Sequence, residues 1–401
     1  MKLNKNLIKG SFILLIAFNI YNALNFFFHF AMVRMLPVIE YGILATLFSI
    51  IYFLAVFSES IQIIIAKYTS AEENTGRLKN ILKKTFRKST FISSALFIIY
   101  LILSIPLSFL LKIEYPLMAL NGIMIILSFM IPINRGVMQG KKRFTSLGIN
   151  MVIEAVIKLT LAVVFVFIGM AVYGAIIGTI FGVSLAVILS FYNIRDIIKS
   201  KEVNAKTHDI YGYTKPAFLI ILIVLVFYSI DIIIAKIFFS EEIAGFYAIA
   251  SILAKTIFFG TLPISKAMFP LIAENNLNKK SSKNIFANAL AILLLAIFAA
   301  LLLFYFIPDF IIKIFSGKLI LESAKILFYL GIATSLISLT NLILLHKLSL
   351  GKIKGHMYLS IFIFIEIFLL IYFSKDLFQF SIAFITASAA FLWGSIVLMN
   401  E

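Results

Sequence analysis

Roughly twelve apolar runs, each close to the length needed to cross a lipid bilayer, follow one another along this chain of 401 residues. No other feature restricts its folding so strongly. In lipid every backbone polar group must be satisfied within the structure, so runs of this length span as helices. They read as helices over 8–33, 41–65, 90–111, 115–133, 145–169, 172–193, 216–239, 243–272, 285–307, 319–345, 357–373 and 378–398. Composition points the same way. Hydrophobic residues make up 62% and charged residues 13%, against about 25% charged in soluble domains. The spans leave only short connections, with no room for a folded soluble domain. The basic start at Lys2, Lys5 and Lys9 has the look of a secretion signal. The run behind it is too long, carries Asn19, Asn22 and Asn25, and has no small-residue cleavage site, so a retained helix is expected.

Several chemistries drop out. Cysteine is absent, which removes disulfides, iron–sulfur clusters and thiolate-bound zinc. The four histidines, His29, His208, His346 and His356, form no H-E-x-x-H pair. No G-x-x-x-x-G-K-[ST] loop occurs, so this chain is not expected to hydrolyse ATP. No cofactor, metal, catalytic residue or nucleic-acid partner is expected.

The net charge of +17 reads as an orientation signal. With the N-terminus inside, the inner loops and tail hold 25 basic residues and the outer side seven. Lysine and arginine concentrate on the cytoplasmic side of membrane proteins. Both termini are therefore expected in the cytoplasm of a multi-pass cell-membrane protein. The blocks Arg77–Lys88 and Gly140–Phe144 can also touch anionic headgroups.

The two halves share a pattern. The stretch from His29 through Arg34 and Gly42 aligns with that from Asp231 through Lys236 and Gly245. Gly140, Lys141 and Glu154 align with Gly351, Lys352 and Glu366. Both offsets are just over half the chain. The expected fold is an all-α integral membrane protein of about twelve transmembrane helices. Its two six-helix lobes, 1–203 and 204–401, surround a central cavity. Gly174, Gly178 and Gly182 share one helix face and read as a packing surface. Pro263 and Pro270 are expected to bend or end the eighth span.

Charges within spans normally face the protein interior or water. Asn22, Asn25 and His29 share an arc of the first helix, and Glu59 and Gln62 lie one turn apart on the second. Glu154 and Lys158 have the spacing of a mutually neutralising pair. Lys255 and Lys266, eleven residues apart, share a face if their helix is regular. The expected substrate cavity is cationic through Arg34, Lys236, Lys255 and Lys266, and otherwise polar through Asn22, Asn25 and Gln62. His29, Glu59 and Asp231 are candidates for ion coupling.

These residues bear a family resemblance. V-R-M-L-P-V-I-E-Y-G at Val33–Gly42, A-K-Y-T-S at Ala66–Ser70 and Q-G-K-K-R-F at Gln139–Phe144 carry it in the first half. D-I-I-I-A-K at Asp231–Lys236, the segment Gly245–Lys255, and Phe269 with Pro270 carry it in the second. The chain resembles the polysaccharide-biosynthesis flippases, the O-antigen and oligosaccharide-lipid translocases related to multidrug-and-toxin extrusion transporters. The resemblance implies alternating access. It also implies an isoprenoid pyrophosphate carrying sugars as substrate, with membrane lipids and glycan-assembly enzymes as partners. An exporter of drugs or cations with the same architecture is the main alternative. It predicts acids dominating the cavity, against which Lys255 and Lys266 speak. A membrane-embedded sugar polymerase or glycosyltransferase would need an acid or base set at an accessible face. The longest outer connection, about Pro308–Leu319, offers only Asp309.

Overall fold

The computed structural model describes residues 5–205, 215–277, 281–351 and 354–398, and no strand occurs among them. The first half contains α1 (Lys5–Met35), α2 (Val38–Ala71), α3 (Thr75–Leu111), α4 (Tyr115–Gly140), α5 (Phe144–Phe165), α6 (Ala171–Asn193) and the short α7 (Arg195–Lys199). The second contains α8 (Lys215–Phe238), α9 (Glu241–Ala254), α10 (Thr256–Leu277), α11 (Lys283–Phe306), α12 (Pro308–Ser316), α13 (Leu321–Ser349), α14 (Ile361–Tyr372) and α15 (Leu377–Val397).

Ten stretches among the described residues are long and apolar enough to cross a membrane. Two features account for the difference from twelve. The runs expected over 145–169 and 172–193 join into one stretch, Phe144–Asn193, through a π-helical turn at Val166–Met170. Gly169 there has φ +93°, which its missing side chain permits. The run expected over 357–373 forms a shorter apolar helix, His356–Tyr372. The chain is thus an all-α multi-pass membrane protein.

Two compact units divide it. One comprises Met1–Leu36 with Leu54–Lys215, the other Pro37–Phe53 with Pro216–Glu401. Helix α2 therefore gives its first half to the second unit and its second half to the first.

In the first unit, α6 lies on α5 through the glycine face. A Cβ on Gly178 would strike the Ala162 backbone, and one on Gly182 would stand 2.8 Å from the Glu154 carbonyl and from Lys158 Cβ. The packing role expected of this face is what the structure shows. In the second unit, a Cβ on Gly42 would stand 3.0 Å from Gly245 Cα. The two glycines matched by the internal repeat thus lie against each other. Below the α9 N-terminus, Ser240 accepts a hydrogen bond from the Ile243 N–H, and Glu241 and Glu242 occupy the first turn, where the helix dipole favours anions.

Polar contacts hold a non-helical strap, residues 200–205, against the first turns of α3. Lys79 Nζ donates to the Ser200 carbonyl at 2.9 Å and the Val203 N–H donates to the Gly76 carbonyl at 3.1 Å. Asn80 Nδ2 and Lys83 Nζ donate to the two oxygens of Glu202 at 2.7 and 3.0 Å. Glycine at 76 is required, because a Cβ would collide with the Lys201 carbonyl. Just upstream, Arg143 forms a two-pronged pair with Asp196.

Lys83 and then Asn80 hold the Glu202 carboxyl below the usual carboxylate range, and the Arg143 hydrogen bond does the same for Asp196. A depressed folded-state pKa contributes stability present above the unfolded value and lost as pH falls through the folded one. The strap should therefore be held at neutral pH and release only below the ordinary carboxylate range. At neutral pH, Glu202→Gln should raise tryptic cleavage after Lys199 and Lys201 several-fold in the detergent-solubilised protein. An unchanged rate would show that Glu202 does not hold the strap.

Candidate functional site

Each unit encloses its own cluster of charged and polar side chains. In the first, Glu154 of α5 is the hub. Arg135 Nη2 of α4 donates to its Oε2 at 2.5 Å, and the Tyr21 hydroxyl of α1 donates to Oε1 at 3.0 Å. Arg135 Nε also reaches Asn150 Oδ1 at 2.9 Å, and Asn150 in turn donates to the Ala186 carbonyl of α6 at 2.7 Å. One turn along α5, Lys158 Nζ donates to Asn25 Oδ1 at 2.7 Å and sits 4.3 Å from the centre of the Phe28 ring. His29, next on α1, is buried and lies within electrostatic reach of Lys158. Tyr21, Asn25 and Phe28 recur at three- and four-residue spacing, so one face of α1 lines the cluster.

The second unit is built around Asp231 of α8, which is fully buried. Lys255 Nζ donates to Oδ1 at 2.7 Å, while Tyr247 and Ser251 hydroxyls donate to Oδ2 at 2.9 and 2.8 Å. Tyr247, Ser251 and Lys255 are spaced by four, so the last face of α9 satisfies the carboxylate completely. The Lys255 ammonium also lies 4.8 Å from the Tyr228 ring centre. Glu366 of α14 stands within electrostatic reach of both Asp231 and Lys255. It is fully buried, and neither carboxyl oxygen has a hydrogen-bond partner among the described residues.

The sequence-derived positions fall into distinct settings. Asn25 joins the first cluster directly, with His29 beside it. Asp231 and Lys255 form the core of the second. Lys236 is buried near the end of α8. Arg34 is exposed, with its guanidinium 4.1 Å from the Phe30 ring centre. Lys266 is exposed and Glu59 and Asn22 are partly buried. Gln62 of α2 donates to Gln139 of α4 at 2.9 Å.

Three readings need correction. The helix expected over 243–272 breaks at Lys255, the cap between α9 and α10, and continues past Pro263 and Pro270. Lys255 is buried whereas Lys266 is exposed, so the two lysines do not share one setting. Glu154 takes its hydrogen bonds from Arg135 and Tyr21, while Lys158 lies within electrostatic reach of it rather than forming the close pair expected. Arg135 is not a loop residue: α4 runs on to Gly140, and Arg135 is 8% exposed. The residues that sequence reasoning left out of the site are Arg135, Tyr21, Asn150, Tyr247, Ser251 and Glu366. The four-residue spacing from Tyr247 to Lys255 was a usable signal for Tyr247 and Ser251.

Fold and clusters together describe a multi-pass membrane protein with polar interior sites in each half. A family model described as polysaccharide biosynthesis protein matches residues 31–325. The chain belongs to that family. No curated protein matches it in sequence. Solved structures share its fold. An inward-facing multidrug resistance MATE family transporter of the MOP superfamily is 12% identical, with a TM-score of 0.75 over 95% of this chain and 94% of that one. The lipid II flippase MurJ in an inward closed conformation is 16% identical, with a TM-score of 0.70 over 96% and 87%. A MOP superfamily transporter from Pyrococcus furiosus, described as having a binding pocket of reverse polarity, is 13% identical, with a TM-score of 0.69 over 99% and 97%.

The Asp231–Lys255 pair makes a specific energetic statement. Removing one member of a buried pair leaves an uncompensated charge and costs about 3–5 kcal/mol. Lys255→Met alone should therefore lower thermal stability in detergent sharply. Asp231→Asn combined with Lys255→Met should recover most of the loss. Additive losses in the double variant would show that the two charges do not depend on each other.

Proposed function

We propose that this protein moves an isoprenoid-pyrophosphate-linked oligosaccharide across the cytoplasmic membrane for polysaccharide assembly, by alternating access and without hydrolysing ATP. Membership of the polysaccharide biosynthesis family carries this reading. The likeness of fold to a lipid II flippase over nearly the whole chain supports it. The excess of basic residues in alternate loops supports placing both termini in the cytoplasm. The repeat supports two six-helix lobes, 1–203 and 204–401.

The chemistry of such a substrate asks for cations at the pyrophosphate and for hydroxyl and amide groups at the sugars. Arg34 and Lys266, both exposed, are the candidate cations, one in each half. Lys255 acts through Asp231, and Lys236 remains a candidate from the interior. Asn22, Asn25 and Gln62 supply amides. For coupling, Asp231 already accepts from three donors, on both of its oxygens. Glu366 is a buried carboxyl beside it with no hydrogen-bonded partner among the described residues. A buried ionised group without partners is costly, so Glu366 is the group whose charge state an exchanging ion most readily changes. Glu59 and His29 are the alternatives in the first half.

Proteoliposomes carrying a fluorescent lipid-linked oligosaccharide test this reading. The protein should move the substrate between leaflets without nucleotide and faster under an imposed proton or sodium gradient. Glu366→Gln should keep basal exchange and lose most of the acceleration. Arg34→Ala and Lys266→Ala should each lower the rate by roughly ten- to a hundredfold, as expected of one charge-assisted contact worth about 1.5–3 kcal/mol. Efflux of an organic cation without movement of the lipid-linked sugar would overturn the proposal in favour of an exporter, the reading to which the MATE likeness of fold also points.

A further inference from the structure

Helix α3 is much longer than a bilayer requires. Its 37 residues would measure about 55 Å at 1.5 Å per residue, against a hydrocarbon core of about 30 Å. Its charge is confined to one end. Arg77, Lys79, Lys83, Lys84, Arg87 and Lys88 fall in the first fourteen residues, and the helix contains no acidic residue. From Ser89 onward it is apolar, apart from small hydroxyl residues and Tyr100. The boundary between the two zones therefore lies where an interfacial headgroup would sit.

A shallow depression of about 730 Å³ opens at this boundary, lined by Lys84, Arg87, Lys88, Thr90 and Phe91. All five are exposed. Lys84, Arg87, Lys88 and Phe91 recur at three- and four-residue steps, so they share a face of the helix. The strap orders part of this surface. Lys84 Nζ donates to Asn204 Oδ1 and to the Ala205 carbonyl at 3.2 and 3.0 Å, which fixes the ammonium at the edge of the depression. The strap's own acid, Glu202, is held to one side by Asn80 and Lys83. The Thr90 hydroxyl donates to the Phe86 carbonyl, so the donors offered outward are cationic.

The same face continues as an apolar stripe. Phe91 is 76% exposed, and Ala95, Ile98, Ile102 and Phe109 are exposed along it. An occupant of this site must carry negative charge at one end and hydrocarbon at the other. A soluble anion or a nucleic acid would leave the stripe uncovered, whereas a lipid covers both parts. We propose that Lys84, Arg87 and Lys88 form a binding site for the phosphate headgroup of an anionic phospholipid whose acyl chains lie along Phe91, Ala95 and Ile98. The proposal rests on the orientation read above only for assigning the lipid to the cytoplasmic leaflet.

The absence of cysteine makes the test direct. Ala95→Cys introduces a single thiol one turn from Phe91, at which a fluorophore can be attached. The full-length protein in mixed vesicles is then titrated with brominated phosphatidylglycerol or brominated phosphatidylcholine, which quench on contact. Phosphatidylglycerol should quench at a several-fold lower mole fraction, and the preference should shrink as salt screens the charges. Adding Arg87→Gln and Lys88→Gln should bring the ratio close to one, while Lys199→Gln with Lys201→Gln should leave it unchanged. Equal quenching by the two lipids, a preference that survives the first pair of changes, or equal loss from both pairs would overturn the site. Displacement of phosphatidylglycerol by equimolar polyisoprenyl diphosphate would also overturn it, assigning the groove to the transported class of lipid. None of these outcomes depends on measured transport, so failure of the site and failure of the transport reading remain separate.

Discussion

The interior polar clusters of this protein are arranged around the high free energy of a charge held away from water. A carboxylate or ammonium inside a membrane bundle persists only with partners of opposite charge and matched hydrogen bonds. The two clusters meet that demand differently. Around Glu154, one carboxylate faces Arg135 while Lys158 rests on an amide oxygen and a phenyl ring. Cationic groups are in excess there. Around Asp231, one ammonium serves two carboxyls, since Glu366 stands within reach of the same pair. Carboxyl groups are in excess there. The two clusters therefore carry opposite electrostatic bias.

Close helix packing makes this arrangement durable. Gly182 lies against the backbone and side chain of the very residues, Glu154 and Lys158, that carry charge on α5. Any larger residue would lift α6 away and let water reach the cluster. Small residues in membrane helices allow close backbone approach, and exclusion of water strengthens every electrostatic contact within. The four-residue glycine spacing and the charged segment of α5 are parts of one construction. Where helices must also end, the sequence supplies caps instead. Ser240 opens α9, and Lys255 closes it while its side chain turns inward to Asp231.

Much of this could be read from the chain alone. Helical spans follow from apolar length, and the lone intramembrane charges Asp231, Lys255, Glu154 and Lys158 were visible as such. Beyond a lysine from the neighbouring helix for Asp231, the partners were not, because pairing depends on contacts across large separations in sequence. Tyr21 and Glu154 are 133 residues apart, as are Asn25 and Lys158. A local rule instead favoured Glu154 with Lys158, since four-residue spacing is the only proximity that sequence shows directly. Arg135 was hidden for a related reason. Its neighbours Asn134, Gln139 and the lysines after Gly140 made the end of α4 look like a loop, whereas a polar helix end can be buried when other helices supply its partners. The break at Lys255 left no proline or glycine marker at that position, while the prolines that do occur lie within α10.

The internal repeat gives these differences their meaning. Glu154 and Glu366 occupy matching places in the two halves, each following a glycine–lysine pair by fourteen or fifteen residues. One is held by an arginine and a tyrosine at hydrogen-bond distance. The other has no such partner among the described residues. A carboxylate fixed by strong donors resists changes of charge, because any change strands its partners. A carboxyl beside an already satisfied pair can gain or lose a proton or cation while that pair stays intact. The first cluster ties α1, α4 and α5 together, and in the proposed transport reading the second is the one that would register an ion.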